Sequence, residues 1–133
     1  MIALTEDKRM LGYGGMTPYS NIFCFATTRR GGFSKGDYAS FNCTPYTGDD
    51  AESVRRNQEL LCNSMPQHPK ELVIPFQTHG IKVEVIDEKY LNATSDERTG
   101  MLQGVDALIT KEPGCCICIS TADCIPILLY DRK

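Results

Sequence analysis

A histidine and a cysteine carry the strongest metal-binding and nucleophilic chemistry in this sequence. His79 lies in the segment FQTHG, and Cys124 lies further along in TADCIPILLY, directly after Asp123. Because Gly80 follows His79, the backbone there can approach a cleft closely. An imidazole and a thiolate suit either a Cys–His nucleophilic pair or two ligands of one metal ion. The residues alone leave both interpretations open.

The other histidine and the remaining cysteines have simpler explanations. His68 lies in a Pro-flanked turn, which predicts a surface position. Cys115, Cys116 and Cys118 belong to the apolar run CCICIS, and strand alternation places the last two on one side. An odd total of 7 cysteines, behind a start that lacks the layout of a secretion signal, predicts reduced thiols and a cytoplasmic protein.

A Gly-rich segment, RRGGFSKG at 29–36, has the residue types of an anion-binding loop. Arg29, Arg30 and Ser34 surround two glycines, and backbone N–H groups together with a guanidinium bind anions well. The segment matches neither a P-loop nor a dinucleotide-binding fingerprint. A plain turn is the simpler interpretation of its composition.

Length and charge exclude several classes of partner. The chain has 133 residues, enough for one domain over 1–133. Its formal net charge is -3, so there is no basic excess to hold a nucleic-acid backbone. No apolar stretch approaches the length of a membrane helix, which predicts that no membrane is involved.

The pattern of apolar residues predicts mostly strands and one clear helix. The helix covers 49–65, with Asp49 as its cap and Glu52 completing a capping box. We predict an ordered loop at 29–48 and a polar, irregular segment at 88–104. The predicted strands cover 21–28, 72–76, 81–87, 106–110, 115–120 and 124–130.

Two of these strands carry specific expectations about burial. In 81–87 the strict alternation predicts a half-buried strand with Ile81, Val83 and Val85 facing inward. The apolar residues of 124–130 predict a buried strand, which would place the Cys124 thiol at its start.

Several motifs occur together in the order found in one protein family. TTRRGGFS, GDD followed by RRN, FQTHG, GVDALIT and TADCIPILLYD resemble the proteins called multicopper polyphenol oxidoreductases or laccases. The resemblance covers about residues 21 to 131, and the pairing of QTHG with TADCIP is its most specific part.

The resemblance implies a nucleoside enzyme. Family members cleave purine nucleosides with phosphate, releasing the base and ribose 1-phosphate, and they also deaminate adenosine and cleave methylthioadenosine. The implied fold class is α+β, a layered α/β/β/α arrangement with two mixed sheets. Family members continue well past Lys133, so we expect an incomplete version of this fold, truncated on its C-terminal side.

The resemblance also implies the site residues. Catalytic roles and zinc (Zn²⁺) ligation fall on His79 and Cys124, while a third zinc ligand, a downstream histidine, has no counterpart here. Arg29 matches the family's T-R-x-G-G pattern and would position phosphate. Asn42 and Asp106 are the other expected contacts to the nucleoside or phosphate.

Three alternatives accompany the phosphorylase prediction. Copper-dependent phenol oxidation would need several histidines, and the sequence has 2. A metal-free Cys–His hydrolase would use the same two residues. The chain could also be an inactive half-domain that self-associates through exposed sheet edges.

Overall fold

A computed structural model of the chain describes residues 1–16 and 18–133. The chain divides into two compact units, Met1–His68 and Pro69–Lys133. Helices and several small sheets occur together, which confirms the predicted α+β class. The sheets in the described residues are small: one of three antiparallel strands and two of two parallel strands.

The first unit combines an antiparallel sheet with one long helix. Its strands pair in the order β1, β2, β3, and the predicted strand over 21–28 is realised only in its last part. Met10, Phe41, Val54 and Leu61 are buried in this unit. The elements are β1 (Ile2–Ala3), β2 (Met10–Gly12), β3 (Phe25–Thr27), α1 (Ala51–Asn63) and two short 3-10 helices, Gly14–Met16 and Gly36–Tyr38.

Helix α1 begins one residue later than the capping prediction required. Asp50 is the cap, and its Oδ2 accepts a hydrogen bond from the Ser53 N–H at 2.9 Å. The predicted cap at Asp49 is therefore wrong, and Glu52 makes an ion pair with Arg55 at 2.7 Å. Two adjacent aspartates offer the same capping chemistry, so only the backbone conformation decides between them.

The second unit contains two parallel strand pairs and two short helices. Its core cluster consists of Val73, Ile86, Tyr90 and Leu102. Strand β4 pairs with β7, and β5 pairs with β6. The elements are β4 (Glu71–Val73), β5 (Lys82–Ile86), α2 (Glu88–Asn92), α3 (Ser95–Met101), β6 (Val105–Thr110) and β7 (Cys115–Ile117).

The prediction that 88–104 is irregular is wrong, because this segment contains α2 and α3. Thr94 and Glu97 form a reciprocal capping box at the start of α3. Arg98 then ties the helix to its surroundings: it donates to the Tyr90 carbonyl at 3.1 Å and pairs with Glu71 at 3.0 Å. Tyr90 of α2 also belongs to the core cluster, and such packing supplies most of the stability of a short helix.

Strand β5 is present as predicted, but its buried face is the opposite one. Ile81 is 99% exposed, Val83 and Val85 are each 49% exposed, and Ile86 is 0% exposed. A shift of one position exchanges the two faces of a strand completely. Alternation identifies the strand, whereas the covering elements decide which face is buried.

The predicted buried strand over 124–130 is wrong. The segment has no regular secondary structure, and Ile125, Ile127 and Leu129 are 87%, 74% and 92% exposed. A strand needs a neighbour for its N–H and C=O groups. None of the strands within residues 1–16 and 18–133 pairs with this segment.

No helix in the described part of the chain is both long enough and apolar enough to cross a membrane.

Candidate active site

The segment FQTHG forms a tight turn between two strands of the second unit. Phe76 forms an isolated parallel β-bridge with Gln103, and the Phe76 N–H donates to the Leu102 carbonyl at 3.1 Å. His79 then adopts a left-handed backbone conformation with φ 58°, which residues other than glycine rarely adopt. Its side chain is exposed.

The carboxylate of Asp106 accepts hydrogen bonds from three consecutive backbone N–H groups of this turn. Oδ2 accepts from Thr78 at 3.3 Å and from Gly80 at 2.9 Å, while Oδ1 accepts from His79 at 3.0 Å. These bonds lower the pKa of Asp106, with the Gly80 N–H making the largest contribution. The group is therefore a carboxylate at neutral pH.

Asp106 occupies an irregular position in β6. Val105 is opposite Lys82 and Ala107 is opposite Val83, so the register shifts at Asp106 and leaves it without a partner in β5. Such bulges redirect side chains and are frequent beside active sites. Here the bulge accompanies a side chain that bonds to the turn.

The side chain of Gln77 joins this turn to the segment that leads to Cys124. Its Nε2 donates to the Ser120 carbonyl at 3.1 Å, and its Oε1 accepts from the Ser120 N–H at 2.6 Å. The amide thus imitates the pairing of a neighbouring strand. Two sequence motifs that lie far apart in the chain are brought together by this pair.

Cys124 is the exposed cysteine among the seven, all of which are free. Its Sγ lies 3.9 Å from Oδ1 of Asp123, the distance of a weak thiol hydrogen bond. The thiol lies in an irregular segment and not at the start of a strand as predicted. Access to a metal ion or a substrate is open.

The described residues supply fewer ligands than the predicted zinc site needs. His79 and Cys124 supply an imidazole and a thiol, which are the donor types that zinc prefers. A catalytic zinc ion requires three protein ligands, and the described part of the chain contains no group of three or more His, Cys, Asp or Glu residues that could hold a metal ion. The described residues therefore fit zinc in chemistry but not in number.

Cys116 and Cys118 lie on one side, as strand alternation predicted. Their Sγ atoms are 3.6 Å apart. The hydrogen bond from Cys118 and burial raise the pKa of Cys116 far above its ordinary value. This thiol stays protonated, which supports its interpretation as a structural residue.

Arg29 presents a fixed and exposed guanidinium in the first unit. Its Nε donates to the Ala39 carbonyl at 2.8 Å, and its own carbonyl accepts from the Ser40 hydroxyl at 2.8 Å. The terminal guanidinium nitrogens are the groups with which an arginine binds phosphate in a bidentate way.

The backbone of the Gly-rich segment is already occupied by internal hydrogen bonds. The Gly32 N–H donates to the Ser40 hydroxyl at 3.1 Å, and the Ser34 N–H donates to the Ser40 carbonyl at 2.9 Å. The Phe33 N–H donates to Oδ1 of Asn57 at 2.8 Å. This favours the plain-turn interpretation over a backbone anion cradle.

Asn42 has both amide hydrogens engaged. Its Nδ2 donates to Thr47 Oγ1 and to Asp49 Oδ2, each at 3.0 Å, and its Oδ1 accepts from the Thr44 N–H at 3.2 Å. Contact with a substrate would require exchange of one of these bonds.

Sequence reasoning missed Asn57, a polar residue that is 0% exposed on helix α1. Its Nδ2 lies within hydrogen-bonding distance of the Ser34 hydroxyl, the Ser40 carbonyl and the Asn42 carbonyl, at 2.9, 3.2 and 2.8 Å. An asparagine at a buried position of an amphipathic helix was the available signal. It holds the loop from which Arg29 projects.

Comparison with known proteins identifies relatives of this chain. Residues 23–133 match the family described as multi-copper polyphenol oxidoreductase laccase. A Bacteroides thetaiotaomicron protein named purine nucleoside phosphorylase is 63% identical over 133 residues, which is 100% of this chain and 49% of that protein. A protein of an unknown prokaryotic organism, named adenosine deaminase RL5, is 40% identical over 112 residues, covering 84% of this chain and 43% of that protein.

A solved structure has a similar fold. The crystal structure of YlmD from Geobacillus stearothermophilus superimposes with a TM-score of 0.68 at 29% identity, over 80% of this chain and 40% of that chain. The chain thus spans about half the length of the curated relatives that it matches, 49% and 43% in the two cases above.

Proposed function

The chain belongs to the multi-copper polyphenol oxidoreductase laccase family, and we propose that it is part of a purine nucleoside phosphorylase. The name of the relative with 63% identity supports this assignment. Within the chain, the assignment is supported by the pairing of Gln77 with Ser120, which joins the motifs of His79 and Cys124. We propose these two residues as catalytic, and we propose 1–133 as part of a single domain.

In the proposed reaction, phosphate attacks C1′ of a purine nucleoside. A phosphate oxygen forms a bond to C1′, the bond from C1′ to the purine nitrogen breaks, and its electron pair leaves with the base. The base takes up the proton that the hydrogen phosphate loses. The sugar gains oxocarbenium character as the base departs. A fixed cation that holds the phosphate favours this step. Arg29 has the required charge and exposure for that role.

Zinc is the metal that we propose for His79 and Cys124, because an imidazole and a soft thiolate suit it. These residues would be two of the ligands. Copper-dependent phenol oxidation finds less support, since the sequence has 2 histidines and His68 is exposed outside any helix or strand.

Adenosine deamination is the second candidate activity, supported by the name of the relative with 40% identity. In that reaction water attacks C6 of the purine and ammonia leaves, giving inosine. Deamination needs no phosphate, whereas phosphorolysis consumes it. The two activities are therefore separable with one substrate.

We also propose that the chain self-associates and that it is cytoplasmic. Ile125, Ile127 and Leu129 are exposed, and apolar surface of this kind promotes contact with a second copy of the chain. The free cysteines agree with a reducing compartment.

The test incubates the chain with adenosine, with and without phosphate, and separates the products by chromatography. The Cys124→Ala variant removes the proposed catalytic thiol, and Cys24→Ala is the matched control. We expect adenine and ribose 1-phosphate from the parent and the control, only with phosphate, and none from Cys124→Ala. Inosine without phosphate would favour the deaminase, and no product from any protein would contradict activity of this chain.

A further inference from the structure

We propose that Asp106 is the positioning residue of this site, whose carboxylate sets the backbone turn that presents the His79 imidazole. The inference rests on the proposed function, because it matters for catalysis only if His79 acts there. Asp106 would then affect phosphorolysis through His79 and would not contact phosphate itself. Three hydrogen bonds to the turn and the bulge in β6 support this role.

The turn brings three consecutive N–H groups toward one carboxylate. Thr78, His79 and Gly80 donate to Asp106 at 3.3, 3.0 and 2.9 Å. Consecutive N–H groups point in different directions in a strand or an extended loop, so this convergence requires a curled backbone. The left-handed conformation of His79, with φ 58°, produces that curl.

A left-handed histidine is unfavourable by itself and needs support from its surroundings. The charge-assisted hydrogen bonds to Asp106 supply that support, since an ionised acceptor forms stronger bonds than a neutral one. Without the carboxylate, the His79 backbone would relax toward an extended conformation. The direction of the imidazole would change with it.

The position of Asp106 in β6 suits this role. Because its neighbours Val105 and Ala107 pair with β5 and it does not, the bulge frees its side chain to bond to the turn. Val105 is 0% exposed, which anchors the bulge to a buried position. A side chain on a strand holds its geometry better than one on a loop.

A direct contact between Asp106 and phosphate is disfavoured by charge and by occupancy. Both groups are negative, and Oδ2 of Asp106 already accepts two hydrogen bonds while Oδ1 accepts one. The carboxylate therefore faces the protein's own N–H groups.

The test measures amide hydrogen exchange by NMR in the parent and in Asp106→Ala, Asp106→Asn and Asp106→Glu. Asp131→Asn, which alters an exposed carboxylate bonded to the Lys133 N–H, is the control. We expect at least tenfold faster exchange at His79 and Gly80 in Asp106→Ala, with the amides of β4 and β7 unchanged. Asp106→Asn keeps one side-chain oxygen, so its exchange rates at His79 and Gly80 should lie between those of the parent and of Asp106→Ala. Asp106→Glu keeps the carboxylate and should restore part of the protection of these amides from exchange.

Kinetics supply the second readout. With active protein, we expect kcat for phosphorolysis to fall about tenfold in Asp106→Ala while KM for the nucleoside and for phosphate stays near that of the parent. Unchanged exchange at His79 and Gly80 in Asp106→Ala and in Asp106→Asn would overturn the proposal. So would a raised KM with unchanged kcat. If the chain has no phosphorylase activity, the exchange data alone decide whether Asp106 sets the turn.

Discussion

The side-chain amide of Gln77 pairs with both backbone groups of Ser120, at 3.1 Å and 2.6 Å. One residue thereby connects the turn of His79 to the segment that precedes Cys124. The two residues lie 43 positions apart in the sequence, so the pairing is a tertiary contact between the two motifs of the candidate site. Its removal should separate them without disturbing the core.

We expect Gln77→Ala to loosen the segment around Ser120. Each hydrogen bond contributes on the order of 1 kcal/mol net, so local opening should become easier by about 1–2 kcal/mol. Amide exchange at Ser120 should accelerate by about tenfold, which corresponds to roughly 1.4 kcal/mol. Gln103→Ala, at an exposed side chain of the same unit, is the control and should leave Ser120 unchanged. Equal exchange in both variants would refute the pairing.

We expect Asn57→Ala to lower the free energy of unfolding by about 3 kcal/mol, because it removes the hydrogen-bond partner of the Phe33 N–H and of the Asn42 carbonyl and leaves a cavity at a buried position. Gln58→Ala removes one bond, to the Cys43 carbonyl at 2.8 Å, and should cost about 1 kcal/mol or less. Urea denaturation measures both changes. A loss in Asn57→Ala no larger than that in Gln58→Ala would show that the network has little energetic weight.

We expect Gly32→Ala to be strongly destabilising and Gly100→Ala to be stabilising. A Cβ at Gly32 would lie 2.1 Å from the Ser40 carbonyl oxygen and 2.5 Å from Phe41 Cα, whereas nothing lies within 4 Å of a Cβ at Gly100. The first change should cost about 2 kcal/mol or more. The second, inside helix α3, should gain about 0.5–1 kcal/mol. Thermal denaturation compares them, and a tolerated Gly32→Ala would contradict the close approach.

We expect Ser34→Ala to raise the pKa of Asp49. The Ser34 hydroxyl donates to Asp49 at 2.7 Å and is the largest cause of a pKa below the ordinary 3.8, and the Asn42 amide contributes less. Because the folded-state pKa is lowered, ionised Asp49 stabilises the fold above about pH 4. That stabilisation is lost as the pH falls through the lowered pKa.

Carboxyl carbon shifts in an NMR titration report the pKa of Asp49 directly. Asn42→Ala is the matched variant and should raise this pKa by less than Ser34→Ala does. The stability of Ser34→Ala should also depend less steeply on pH in the acidic range. The reverse order of the two variants would count against the hydroxyl as the main cause.

We expect the parent chain to self-associate and the triple variant Ile125→Lys, Ile127→Lys, Leu129→Lys to do so less. Light scattering over a range of concentrations measures the mass. The control adds three lysines at exposed polar positions, Asn63, Gln67 and Asn92, so that the net charge is equal. A parent that remains a monomer, or a control as monomeric as the triple variant, would contradict association through these apolar side chains.

The sequence by itself determined the features that depend on neighbouring residues. The apolar spacing of α1, the presence of a strand at 106–110 and the common side of Cys116 and Cys118 follow from local residue types and periods. The motifs also identified the family, and the match over 23–133 confirms it. These features require no knowledge of what packs against them.

Only the tertiary structure decided which face of β5 is buried, whether 124–130 forms a strand, and what Asp106 bonds to. Each depends on a partner far away in the sequence: a covering element, a neighbouring strand or a distant turn. Local periodicity contains no information about that partner. The motif GVDALIT therefore identifies Asp106 as a residue of interest. Its role at the turn of His79 follows only from the three hydrogen bonds that the fold creates.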